Sequence, residues 1–321
     1  MTATASPERT GPGQTGQKGP TTRRGDRTFE AIVRIAAFTI LASLVAVFVF
    51  LAIEGWSGFT SVPATYAPFT SFLSYIWPLV LSTILASAIA VIVAVPFAIG
   101  IALFISHYAP RRLSSVLAYL VDLLAAVPSV VFGLWGGRYL AGYLQPLQVW
   151  LYDHFGFLPF FGPGPPTPNG RSLFTAGIVL AIMILPIITA ITREVFVQTP
   201  RLHEEAALAL GATRWEMVRY AVFPYARSGM VSAVMLGLGR ALGETMAVAM
   251  VLSASPVYTL NMISNTNPAT IASNIASSFA EATPDKLAVL IATGLVLFVF
   301  TFAVNFAARA IVARSERKFN R

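Results

Sequence analysis

Long apolar runs alternate with short polar stretches along this chain, and six runs are long enough to cross a bilayer. They lie at about 35–53, 75–106, 113–135, 173–192, 228–252 and 287–308. The first has nineteen residues, about 28 Å of helix at 1.5 Å per residue, against a hydrocarbon core of about 30 Å. Arg34 can snorkel at its start, and Glu54-Gly55-Trp56 closes it with an interfacial aromatic. The second run holds Pro78 and Pro96 and predicts one kinked or tilted helix; Asp122 and Pro128 lie in the third and Pro186 in the fourth. Between the third and fourth runs, 136–171 is a mixed, aromatic-rich insert ending in the turn-forming stretch 162–170. Thr283 as N-cap, Pro284 at the first helical position and Asp285 in the first turn start the sixth run. Ile271, Ile275 and Phe279 form a stripe that reads as a short interfacial helix. The expected fold is an all-α membrane protein, a six-transmembrane-helix bundle over 28–321 preceded by a disordered tail, 1–27.

The polar stretch 193–227 is too long to be a mere connection, since 2–8 residues suffice between bundled helices. Thr199-Pro200 reads as the N-cap and first position of a short helix and Gly211 as its stop. Thr213-Arg-Trp-Glu216 is a capping box opening a second helix toward Phe223-Pro224. The stretch is therefore a helical hairpin. It reads either as an amphipathic surface element or as a docking knob. Trp215 and Met217 beside Arg214 and Arg219 suit an interface with a partner.

Composition supports a membrane protein: 56% of residues are hydrophobic and 11% charged, against roughly 25% charged in soluble domains. There is no cysteine, and the three histidines are scattered, so no thiolate or histidine metal site and no cofactor is expected. The net charge of +8 is explained by sidedness. Lys and Arg number five in the tail, two at 107–112, five in 193–227 and five after residue 308, against three (Arg138, Arg171, Lys286) on the opposite side. The positive-inside rule places both termini and the 193–227 loop in the cytoplasm. Nucleic-acid binding has no place in this reading.

The chemistry concentrates in Gly239-Arg240-Ala241-Leu242-Gly243-Glu244-Thr245. Within an unbroken fifth helix, Arg240 and Glu244 would project from one face as a buried pair. An ionisable group at bilayer centre is costly and marks a pathway by default. Arg240 suits a passing oxyanion, and Glu244 would limit its affinity; the other reading is a neutralised pair that fixes packing. Thr245, Ser129 and Asp122 are further pathway candidates; Asp122 either partners Arg240 or stays near the cytoplasmic end in a structural role. Gly239 and Gly243 have the spacing for close helix approach. No Gly-x-x-x-x-Gly-Lys-Ser/Thr phosphate loop occurs, so ATP hydrolysis would belong to a partner and the chain is not expected to be an enzyme.

Glu205-Ala206-Ala207, Gly211 and Pro224 resemble the EAA loop of ABC importer permeases, although Ala221 and Phe223 depart from the pattern's end. Residues 121–136, with Pro128-Ser129-Val130-Val131, and 238–248 are similar to the phosphate permeases of PstC type. The resemblance implies a MetI-like bundle in the plasma (inner) membrane that imports inorganic phosphate. It implies a PstA-type subunit as heterodimer partner, two PstB-type ATPase copies and an extracytoplasmic binding protein, PstS. It also implies that Glu205, Ala206, Ala207, Gly211, Arg214, Trp215 and Pro224 engage the ATPase. The alternatives are a PstA-type subunit, a permease for sulfate or molybdate, and a membrane scaffold for phosphate sensing.

Overall fold

A computed structural model describes residues 24–162, 164–257 and 259–319. Helix α1, Arg24–Phe59, contains the first expected span and also Arg24–Arg27, which the sequence reading gave to the tail; the rest of that tail lies outside the described residues. α2, Phe72–Leu103, is capped by Ser71 and Ser74 and carries Pro78 and Pro96 inside it. It runs on through one π turn, Phe104–Tyr108. α6, Leu173–Val197, starts from Ser172 as N-cap. Among the described residues, five helices are long and apolar enough to cross a membrane, and a sixth span counts if one bent pair is taken together.

That bent pair corrects the third expected span. The chain does not run straight through 113–135: α3, Arg111–Ala125, ends at Ala126–Pro128. A new helix then begins with α4, Ser129–Trp135, continues through a π turn at Gly136–Leu140 and runs into α5, Ala141–Phe155, at 87° to α3. Half of the expected insert is thus helical. Pro128 supplies the physical reason, since the residue before a proline is pushed out of the helical region.

The bundle is ordered around α6. α2 runs parallel to it: Thr189 Oγ1 lies 3.4 Å from the Ala98 carbonyl, and the rings of His107 and Phe196 are 6.2 Å apart. α9, Phe223–Leu242, runs antiparallel, with Gly229 against Val195 and Gly237 against Ile188. The apolar core lies between α2 and α6 and includes Ala90, Ala94, Leu180 and Ile184. α12, Pro284–Phe319, begins where Thr283-Pro284 predicts. α11, Ile271–Ser278, has a Thr270–Ser273 capping box.

The stretch after α6 is a helical hairpin. α7, Arg201–Ala209, stops at Leu210, and Gly211 has φ +86°. α8, Arg214–Met217, opens with the Thr213–Glu216 box. Its N-H groups are satisfied reciprocally: Glu216 Oε2 accepts from Thr213 N at 2.8 Å, and Thr213 Oγ1 accepts from Glu216 N at 3.3 Å. The helix does not stop at Pro224. It passes through a π turn, Val218–Val222, straight into α9, giving one rod from Arg214 to Leu242. The wider π turn sits just before Pro224, where a proline would otherwise cost an α-helical hydrogen bond.

Candidate functional site

The fifth expected span is also broken, and this changes the reading of its charged pair. α9 ends at Leu242, with Gly243 as C-cap, and α10, Met246–Val251, starts after Thr245. Arg240 and Glu244 therefore do not share a helix face. No ion pair joins them among the described residues. Each serves its own half-helix instead. Arg240 is in the last turn of α9, where the carbonyl end of the dipole favours a cation. Glu244, only 8% exposed, caps α10: its Oε1 accepts from Ala247 N at 3.1 Å. The half-buried Thr245 is the N-cap residue of α10.

The two breaks lie together. A Cβ built on Gly133 would come 2.7 Å from Ala247 Cα, and one on Gly137 would come 2.6 Å from the Met250 carbonyl oxygen. These contacts set α4 and α10 parallel and in register. Ser129 lies one turn before Gly133, and Gly243 one turn before Ala247. Both half-helices thus begin within about a turn of each other, with their N-termini toward the same end of the bundle. Gly237, three residues before Arg240, packs on Ile188 near the middle of α6, so the breaks sit at mid-span. Arg240 is exposed in the isolated chain.

The Gly133–Gly137 pair is the close-packing glycine motif of this chain, visible in the sequence by its spacing but not singled out there. The expected pair, Gly239 and Gly243, is open: no atom lies within 4 Å of a Cβ built on Gly239, and only the Gly239 carbonyl approaches one on Gly243. Another group missed from sequence is Arg171. Its Nε donates to the Val251 carbonyl at 3.1 Å and its Nη2 to the Met250 carbonyl at 2.6 Å. A carboxylate thus holds the start of α10 and a guanidinium its end, each complementing the helix dipole.

Asp122 is not near this junction. Its Oδ2 is 3.8 Å from Arg193 Nη2, one turn from the end of α6. Ser114 Oγ meanwhile donates to the Ile105 carbonyl at the hairpin end of α2. α3 is therefore held at both points near the hairpin end and runs along it.

The hairpin is anchored on one side and bare on the other. Met217, Val218, Val222 and Ala226 pack with Phe196 and Ala102, and Ala207 lies against this cluster. Glu204, not Glu205, ties the hairpin to α2: its Oε1 is 3.4 Å from His107 Nε2. Glu205, Ala206, Arg214 and Pro224 are exposed. Leu210 is 90% exposed and Trp215 53%, although Trp215 also meets the Phe223 ring edge-on. The knob thus presents apolar and charged side chains on a supported base.

A helical membrane bundle with discontinuous helices meeting at mid-span, and a protruding hairpin joined to one of them by a continuous rod, has the build of a transport permease. The family model "Binding-protein-dependent transport system inner membrane component" matches residues 94–317, and the chain belongs to that family. It is therefore a multi-pass inner-membrane component that works with other ABC transporter components. It is 47% identical over 300 residues to the phosphate transport system permease protein PstC 2 of Mycobacterium tuberculosis, covering 90% of this chain and 92% of that one. It is 38% identical over 305 residues to the phosphate transport system permease protein PstC of Mesorhizobium japonicum, covering 91% of each. In fold it resembles a chain of the inward-facing MetNI methionine ABC transporter, with a TM-score of 0.50, 15% identity, and 74% of this chain and 93% of that chain covered.

Proposed function

We propose that this chain is the PstC-type permease subunit of an importer for inorganic phosphate. The observation that carries the reading is the mid-span junction, where two parallel half-helices begin within a turn of each other beside Arg240. Discontinuous helices whose N-termini face a cavity are a recurrent way to receive an anion in a membrane. A guanidinium matches the geometry of a phosphate oxygen pair. The names of the relatives supply the substrate.

Arg240 receives the phosphate, and Ser129 and Thr245 line the junction. Glu244 keeps the start of α10 occupied, so the ion competes with a carboxylate and is released. Asp122 has a positioning role, holding α3 to α6. A PstA-type subunit covers the open Gly239–Gly243 side, and an extracytoplasmic PstS-type binding protein delivers phosphate. Two PstB-type subunits hydrolyse ATP, and one of them grips the exposed knob of Glu205, Ala206, Leu210, Arg214 and Trp215. Both termini and the hairpin are then cytoplasmic, in line with the charge asymmetry. Closure of the ATPase pair moves the hairpin, and the rod from Arg214 to Leu242 carries that movement to the junction.

The test is phosphate uptake by the reconstituted complex. Losing a hydrogen bond to a charged group costs about 1.5–3 kcal/mol, so Arg240→Gln is expected to lower uptake at least tenfold while the complex still assembles. Competition by sulfate and molybdate, measured on the same vesicles, is expected to be weak. Normal uptake in an assembled Arg240→Gln complex would remove Arg240 from the pathway.

A further inference from the structure

At the end of the bundle opposite the hairpin, a cleft of about 230 Å³ opens between the first turns of α2 and α12, helix α11 and the segment after α10. One water needs on the order of 10–15 Å³ of such space, so a small hydrated ion fits easily. Among the described residues, Lys286 is the one cation that lines the cleft, and no acidic side chain does. Lys286 Nζ donates to the Thr65 carbonyl at 3.3 Å and stands 4.3 Å from the centre of the Tyr75 ring. An ammonium has three N-H donors, and neither contact neutralises its charge. No ion pair among the described residues involves it.

The rest of the wall is built for a polar guest. The Tyr75 hydroxyl and the Asn274 amide, both buried, meet at 3.0 Å. Ser255 and Ser278 bring further hydroxyls, and Phe69 and Leu79 make the adjoining wall apolar. A charge beside low-dielectric walls attracts counter-ions more strongly than one in open solvent. The cleft also lies next to the far end of α10. Ala254–Pro256 follow closely on α10, whose six residues span about 9 Å to the junction. The Met250 and Val251 carbonyls at this end are taken up by Arg171, so they present no bare oxygens to an anion.

We infer that this cleft is a second oxyanion site, at which inorganic phosphate is held by Lys286 before it reaches the junction. The inference rests on the transport reading above. It is tested on the reconstituted transporter in nanodiscs, without ATP or binding protein, with inorganic phosphate as the probe. Acylation of the Lys286 amine is followed by mass spectrometry at constant ionic strength. Phosphate is expected to slow it at least fivefold where chloride does not, and to do so equally in Arg240→Gln. In equilibrium binding of labelled phosphate, Lys286→Gln is expected to weaken affinity at least tenfold, and Lys286→Arg less than threefold. If Lys286→Gln fails to assemble, the wild-type protection measurement decides. A lysine that only clamps the Thr65 loop to α2 predicts equal acylation with and without phosphate. That result, in a complex that takes up phosphate, overturns the cleft site and leaves the transport reading standing. A wild-type complex without phosphate uptake overturns the transport reading itself.

Discussion

Substituting Gly133 by alanine tests whether the contact between α4 and α10 sets the junction. The new methyl would lie 2.7 Å from Ala247 Cα, a backbone atom, where carbon atoms at rest are about 3.5–4.0 Å apart. The two helices must separate by about 1 Å. Overpacking of this kind costs about 1–3 kcal/mol, offset by a gain of about 0.5–1 kcal/mol from replacing a helical glycine. The net loss is then up to about 2.5 kcal/mol. Gly142 in α5 is the control: no atom lies within 4 Å of its built Cβ, so Gly142→Ala brings only the gain. Thermal unfolding of the purified complex, read by fluorescence-detected size exclusion, should rank Gly142→Ala at or above wild type and Gly133→Ala below it. Uptake should fall at least tenfold in Gly133→Ala alone, because the separation moves the two half-helix starts that flank Arg240. Ala247→Gly should not rescue it, since the clash is with Cα and not with the alanine methyl. A Gly133→Ala complex that melts and transports like Gly142→Ala would refute the packing argument.

Two further outcomes follow from the same geometry. Gly211→Val places a β-branched residue at φ +86° with nothing within 4 Å of its Cβ. The cost is therefore backbone strain of about 1–2 kcal/mol, and ATP hydrolysed per phosphate imported should rise; an unchanged ratio would mean that the knob does not depend on its turn. Arg171→Gln releases the two carbonyls at the end of α10, and amide hydrogen exchange should accelerate across 246–252 while α6 stays protected. Equal exchange in mutant and wild type would show that Arg171 does not hold α10.

The helices and the hairpin were legible because local chemistry decides them, although Thr199 does not cap α7, which starts at Arg201 with Pro200 as its N-cap residue. Thr213 and Thr283 start helices as their sequence context predicts, and Gly211 stops one, whereas the Ser71 and Thr270 caps were not singled out from the sequence. The two breaks were not legible as breaks. Hydropathy is continuous across 113–135 and 228–252, so a pattern of apolar residues reads both as unbroken spans. Pro128 marks one break in the sequence. The other, at Gly243–Thr245, has only a glycine and a charged residue to signal it, and Arg240 and Glu244 four apart suggest one helical face. Tertiary contacts were hidden for the usual reason: Arg171 reaches Met250 and Val251 across about eighty residues, and nothing local to Arg171 foretells it. Lys286 entered the sequence reading only as one of three basic residues on the side opposite the hairpin; its place over the Tyr75 ring depends on packing between α2 and α12.

The break between Arg240 and Glu244 leaves their separation unfixed by any single helix. On one continuous helix the two charges would be fixed a turn apart in every state. On two half-helices, one driven by the hairpin rod and the other tethered by Arg171, they can draw together or part. Opposite unit charges at an effective dielectric of 20 attract by about 4 kcal/mol at 4 Å and about 2 kcal/mol at 8 Å. On the proposed function, a junction whose charges part would leave the guanidinium free for phosphate, and one whose charges meet would expel it. The hydrolysis cycle would then set the affinity of the site by moving the rod that carries Arg240 a few ångströms relative to the tethered Glu244.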